Sequence, residues 1–213
     1  EALGLGFRPL GPHIDPEDPA LVRLVADVKR GSENIFRRCL MPYLREMWDD
    51  TRKALEGADL ALSHPITLGV PMLAEQTGRL WASAVLCPLS LLSKHDPSEF
   101  AGYPVLSWIY RSFPILRGPI WAAGRAKTRA WIVPLLDFRK ELGLRADVHP
   151  LFEGQHSPHL VLALFSGVLA TPQPDWPPNT AVTGFCAPGG GTLPPELERF
   201  LDAGPPPIVF TLG

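Results

Sequence analysis

The chain has 213 residues, 46% of them hydrophobic and 20% charged, and its mean hydropathy is close to zero. That length suits one large domain or one and a half small ones, and the composition allows a sizeable core and excludes disorder and collagen-like repetition. Twenty Lys and Arg against 22 Asp and Glu give a net charge of −2. There is no basic stripe to track a phosphate backbone, so no nucleic-acid partner is expected.

Glu1–Pro12 reads as a short strand with no element before it. Asp18–Lys29 predicts a first helix, with Leu21, Leu24, Val25 and Val28 on one face and Asp15 or Asp18 as cap. A second, Glu33–Glu56, is capped by Ser32 and stopped by Gly57, and Pro42 kinks or splits it. Asp59–Ser63 predicts a short buried strand, Ala74–Arg79 a helix after Pro71, and Ala82–Leu86 the next strand. Between Glu99 and Leu142 the helical pattern is broken by Pro104, Pro114, Pro119 and Pro134, which predicts two or three pieces. Leu160–Phe165 and Ala181–Phe185 are further strands, and Pro195–Ala203 is a linker helix. Pro205–Gly213 ends in a β-rich apolar run that resembles the opening strand of a βα unit. Strands alternating with helices predict an α/β, Rossmann-like parallel sheet with helices on both faces, incomplete at both ends.

Proline is the compositional outlier, at 25 residues, and ten of these lie between Pro172 and Pro207. The C-terminal sixth therefore reads as a linker. Cys39, Cys87 and Cys186 are odd in number and widely spaced, which suits a reducing, cytoplasmic setting. No Cys-x-x-Cys pair supports structural zinc. No apolar run reaches the length of about 18 residues that a membrane span needs, and no signal peptide is visible.

Ligands of open parallel sheets bind beyond the carboxyl ends of the strands. Three places qualify: His64-Pro65-Ile66-Thr67, Cys87-Pro88-Leu89-Ser90, and Ser166-Gly167. His64 is the most chemically capable, because an imidazole exchanges protons near neutrality; its alternative role is a hydrogen bond within its own loop. His156 and His159 form His-x-x-His, but Pro158 opposes a helix there and no acidic third ligand is near, so no metal is expected. Gly189-Gly190-Gly191 lacks the strand-to-helix context and Lys of a phosphate cradle and reads as a hinge. Ser166 lacks the Gly-x-Ser-x-Gly elbow of a hydrolase. Trp108, Trp121 and Trp131 read as core, with one of them available to line an apolar pocket. Gly-x-Gly-x-x-Gly is missing, which argues against a dinucleotide.

Ala58–Pro65, Pro71–Gly78 and Ser83–Pro88, followed by Pro174–Phe185 and Leu193–Leu201, are collinear with a known pattern. In that order they resemble the bacterial sterol- and rhamnosyltransferase-like branch of the UDP-glycosyltransferase superfamily. The resemblance implies a GT-B hexosyltransferase of two Rossmann-like domains. Residues 1–186 would form the acceptor-side domain without its first strand, 187–205 the interdomain linker, and 206–213 the first strand of a truncated nucleotide-sugar domain. It implies inverting transfer from a UDP- or dTDP-linked sugar to a hydroxyl of a lipophilic acceptor such as a sterol, lipid or natural product. The sugar nucleotide is a co-substrate, and no cofactor is implied. By the same resemblance His64, Pro65, Thr67, Pro88, Leu89, Ser90 and Trp108 line the acceptor site, with His64 assisting the base. Thr211 and Gly213 approach the donor. The general base lies upstream of Glu1, so these residues alone should be inactive. Peripheral contact with a membrane through exposed helix faces is compatible with a lipid acceptor. The alternatives are a non-catalytic acceptor-binding module working with a separate donor-binding chain, and a Rossmann-like ligand-binding protein without transfer chemistry.

Overall fold

The computed structural model describes residues 4–96, 99–186 and 192–208. Four strands, β1 (Ala61–Ser63), β2 (Trp81–Val85), β3 (Val161–Ala163) and β4 (Thr180–Val182), form one sheet in the order β1-β2-β3-β4. All three pairings are parallel, with Ser63 beside Ser83 and Ser83 beside Val161. This is an α/β, Rossmann-like parallel sheet with helices, in agreement with the alternation of the sequence.

The helices are α1 (Pro19–Val25), α2 (Gly31–Asn34), α3 (Leu44–Ala54), α4 (Gly69–Thr77), α5 (Pro104–Ser112), α6 (Arg117–Arg129), α7 (Val133–Glu141) and α8 (Pro195–Asp202). α1 is shorter than its apolar pattern predicts. The cause is Asp27, whose carboxylate accepts the N–H groups of Lys29 and Arg30 and starts a new turn. Those two bonds also hold its carboxyl below the usual range. Pro42 splits the second predicted helix. A π-helical stretch (Ile35–Leu40) and a 3₁₀ turn (Met41–Tyr43) separate α2 from α3, as expected where a residue without an N–H interrupts the ladder. Pro104 and Pro134 sit in the first turns of α5 and α7 and Pro114 opens a 3₁₀ turn, so the 99–142 region is three α-helices.

Three expectations are corrected. Residues 4–12 form no strand; they are irregular, with Gly4 and Gly11 at positive φ, and Gly11 N–H donates to Asp50. α4 begins at Gly69 rather than after Pro71, because proline is tolerated in a first turn. A Cβ on Gly69 would lie 2.5 Å from Thr51 Oγ1, so only glycine lets α3 and α4 approach this closely. Residues 205–208 form no strand, and the remainder of that predicted strand lies outside the described residues.

Burial follows the strand period of two in β1 and β3, whereas Trp81, Ala82 and Ser83 of β2 are all buried. Ser63, Ser83, Val85, Val161 and Ala163 face the buried side, whereas Leu62 on the opposite side is 61% exposed. One core packs Met41, Leu44 and Trp48 against Leu73 of α4 and Ile132, Leu135 and Phe138 around α7. A second gathers Val85, Leu91, Val161, Phe165 and Trp176, with Phe165 and Trp176 meeting edge to face at 6.1 Å. Segment 149–158 is tied to the sheet by two buried serines. Ser157 N–H donates to Ser83 Oγ at 2.8 Å, and Ser157 Oγ donates to the Trp81 carbonyl at 2.6 Å.

Ser157→Ala removes the hydroxyl that the buried Trp81 carbonyl accepts from and should cost about 1–3 kcal/mol. Phe165→Ala, which empties a fully buried site, should cost about 3–5 kcal/mol. Urea unfolding followed by circular dichroism checks both through the shift in midpoint.

Candidate functional site

The predicted loops after β1 and β2 differ in what their side chains do. After β1, His64 is half-buried and Nδ1 accepts the Ile66 N–H at 3.3 Å, while Thr67 N–H donates to the His64 carbonyl at 2.9 Å. The imidazole thus closes its own turn. Thr67 is half-buried at the entry to α4. Pro65 lines a cavity of about 320 Å³ together with Leu68, Met72, Glu75, Leu135 and Arg139. The Arg139 guanidinium, 6% exposed, is held there by Glu75 at 2.6 Å and by the Arg145 carbonyl.

After β2, Pro88 opens a 3₁₀ turn through Leu91. Leu89 is exposed, and Ser90 Oγ lies 3.6 Å from Cys87 Sγ. The Ser90 carbonyl is the more informative group. It receives His156 Nε2 at 2.9 Å and Gln155 Nε2 at 3.5 Å, both from the segment that Ser157 anchors. A carbonyl can only accept, so His156 carries its proton on Nε2 and presents an unprotonated Nδ1. That buried atom has no hydrogen-bond partner among the described residues. Burial pushes the His156 pKa down, the Ser90 carbonyl opposes the shift, and positive charge on His64 adds to it. The imidazole is neutral at pH 7.

His156 stands at the wall of a cleft of about 410 Å³ beyond β2. Leu91, Trp121, Phe152 and Trp176 supply apolar surface, and Trp121 meets Phe152 edge to face at 5.2 Å. Charged groups ring it. Lys94 Nζ lies 5.3 Å from the Trp121 ring centroid, and Arg125 covers Phe152 while pairing with Glu153 at 2.6 Å. The Arg125 bond holds the Glu153 carboxyl below its usual range. At Asp175 burial works against ionisation, but hydrogen bonds from Ser93 Oγ and the Lys94 N–H outweigh it and lower the pKa. Behind the cleft His149 is 1% exposed; its Nε2 lies 3.1 Å from both Thr128 Oγ1 and the Arg125 carbonyl, and burial lowers its pKa.

Trp108 is corrected from core to surface. It is 57% exposed on α5, stacked edge-on against Phe113, and lines neither cavity. Trp121 and Trp131 are half-buried. Thr211, Gly213 and Gly189–Gly191 lie outside the described residues. Among the described residues no three His, Cys, Asp or Glu side chains are grouped to hold a metal, and no helix is long and apolar enough to cross a membrane. The residues the sequence did not mark are Lys94, Arg125, Phe152, Glu153 and Asp175; His156 was weighed only as a metal ligand. Chemically, the cleft offers apolar walls, a charged rim and one neutral imidazole able to accept a hydroxyl hydrogen. No family profile matches the chain, and no curated protein is detectably similar to it.

The His156 resonance should titrate below the ordinary histidine value of about 6.5, and His64→Gln should raise it by removing a like charge. Both shifts are read by NMR. His149 and His156 bind their protons more weakly in the folded state. Their contribution to stability is therefore complete above about 6.5 and is lost as pH falls toward their folded values. Urea midpoints measured across that interval should fall with pH.

Proposed function

We propose that the chain is the acceptor-binding part of a GT-B hexosyltransferase acting in the cytoplasm. The observation that carries this reading is the half-apolar cleft beyond β2, set at the carboxyl edge of a parallel sheet and walled by the neutral His156. Trp121, Phe152 and Leu91 would hold the lipophilic body of the acceptor, and His156 Nδ1 would accept a hydrogen bond from its hydroxyl. His64 would act indirectly, because its charge bears on His156. In the reaction the acceptor oxygen attacks the anomeric carbon of a UDP- or dTDP-sugar. The bond to the diphosphate breaks with inversion, and the hydroxyl proton passes to a general base. The exposed Cys87 and Cys186 are compatible with a reducing compartment.

The test is to incubate the full-length protein with UDP-glucose or dTDP-rhamnose and a panel of sterols, lipids and aromatic natural products. Glycosylated product and free nucleoside diphosphate are expected; no turnover with any sugar nucleotide sinks the proposal. His156→Ala should lower turnover about 100-fold through misplacement of the acceptor. His64→Ala should lower it while nucleotide binding stays intact, and an unchanged rate removes His64 from the site. Acceptors should quench tryptophan fluorescence, and Trp121→Phe should weaken the quench, leaving the part due to Trp176. Quenching without turnover would indicate the non-catalytic acceptor-binding module.

A further inference from the structure

Helix α5 is apolar on both sides. Ser107 and Tyr110 face inward and are buried, but the outward side carries Val105 (68% exposed) and Trp108 where a helix between core and water places polar residues. The surface continues past the helix end through Phe113, Pro114, Ile115 (85% exposed) and Leu116. The Trp108 and Phe113 rings meet at 5.6 Å, so these groups form one projecting body rather than scattered side chains.

Charge separates this corner from the other exposed apolar groups. Residues 94–136 contain six Lys and Arg and two Asp and Glu, whereas the rest of the chain contains fourteen and twenty. Four of these cations have partners: Arg111 pairs with Glu99, Arg125 with Glu153, Arg117 donates to the Tyr110 carbonyl, and Arg129 to the Ala146 and Val148 carbonyls. At the other end of α5, Lys29 and Lys127 each stand 5.8 Å from the exposed Tyr103 ring centroid, which fixes two ammonium groups beside the apolar stripe. By contrast α8 also exposes Leu197 and Phe200 but carries Glu196, Glu198 and Asp202, which an anionic surface would repel.

We infer that the corner between α5 and α6 docks on an anionic lipid bilayer. Trp108, Phe113, Ile115 and Leu116 enter the headgroup layer, and the exposed Lys29, Arg111 and Lys127 meet the lipid phosphates. The inference does not depend on glycosyl transfer. It is tested by sedimenting the protein with vesicles of phosphatidylcholine alone and of phosphatidylcholine with an equal part of phosphatidylglycerol. Binding to the anionic vesicles alone, weakened by salt, is expected. Ile115→Ser with Leu116→Ser, both at exposed positions, should weaken it about tenfold or more, as should Arg111→Glu with Lys127→Glu. Circular dichroism should show that both variants remain folded. No binding, or equal binding to neutral vesicles, overturns the inference. So does concentration-dependent dimerisation in gel filtration that Ile115→Ser abolishes, because the corner would then be an interface between copies.

Discussion

Two buried hydroxyl groups decide where everything at the carboxyl edge of the sheet ends up. Ser83 lies in the middle of β2 with no exposure, and Ser157 closes the irregular segment that follows His149. Ser157 N–H donates to Ser83 Oγ and Ser157 Oγ to the Trp81 carbonyl, and His156 Nε2 adds a third tie at the Ser90 carbonyl. Buried hydroxyls without partners are costly, and here each finds a backbone partner. A segment that would otherwise be a surface loop thus becomes a second layer over β2. It carries Phe152, Glu153, Gln155 and His156 into place together, and it forms the wall that the two cavities share.

The electrostatic character of the cleft follows from the same constraint. His156 is neutral because its position over the strand removes water from the ring, an effect that outweighs the pull of the Ser90 carbonyl on its proton. The carboxylates stay charged for the opposite reason: Glu153 has Arg125, and Asp175 has Ser93 and a backbone N–H. Ionised groups with local partners thus surround one uncharged acceptor, so the cleft concentrates hydrogen-bonding capacity without presenting a strong field of either sign.

The parallel α/β architecture was legible because it rests on local signals. Apolar runs of strand length between capped helices mark every sheet element, and the prolines mark where helices begin or break. Element ends were less legible: Asp27 ends one helix by bonding its own neighbours, and Gly69 begins another against Thr51, neither of which alters the apolar period. At the site, the loops after β1 and β2 could be found from the strand-end rule. His156 could not be placed there, because it meets Ser90 across 66 positions and nothing near it in the chain signals that meeting. Trp108 misled for a simple reason. Its size and apolarity are those of a core residue, and composition cannot tell a buried indole from one left on the surface.

The strand order carries a consequence for how the protein is made. Each strand pairs with the one before it in the chain, and none has to wait for a later strand to be inserted between neighbours. On a ribosome, β2 can join β1 as soon as α4 has emerged, and β4 can join β3 almost at once. Only the step from β2 to β3 spans a long stretch, and α5, α6 and α7 shorten that stretch as they form. Growth of the sheet therefore follows the direction of synthesis, with a single costly loop closure at its centre.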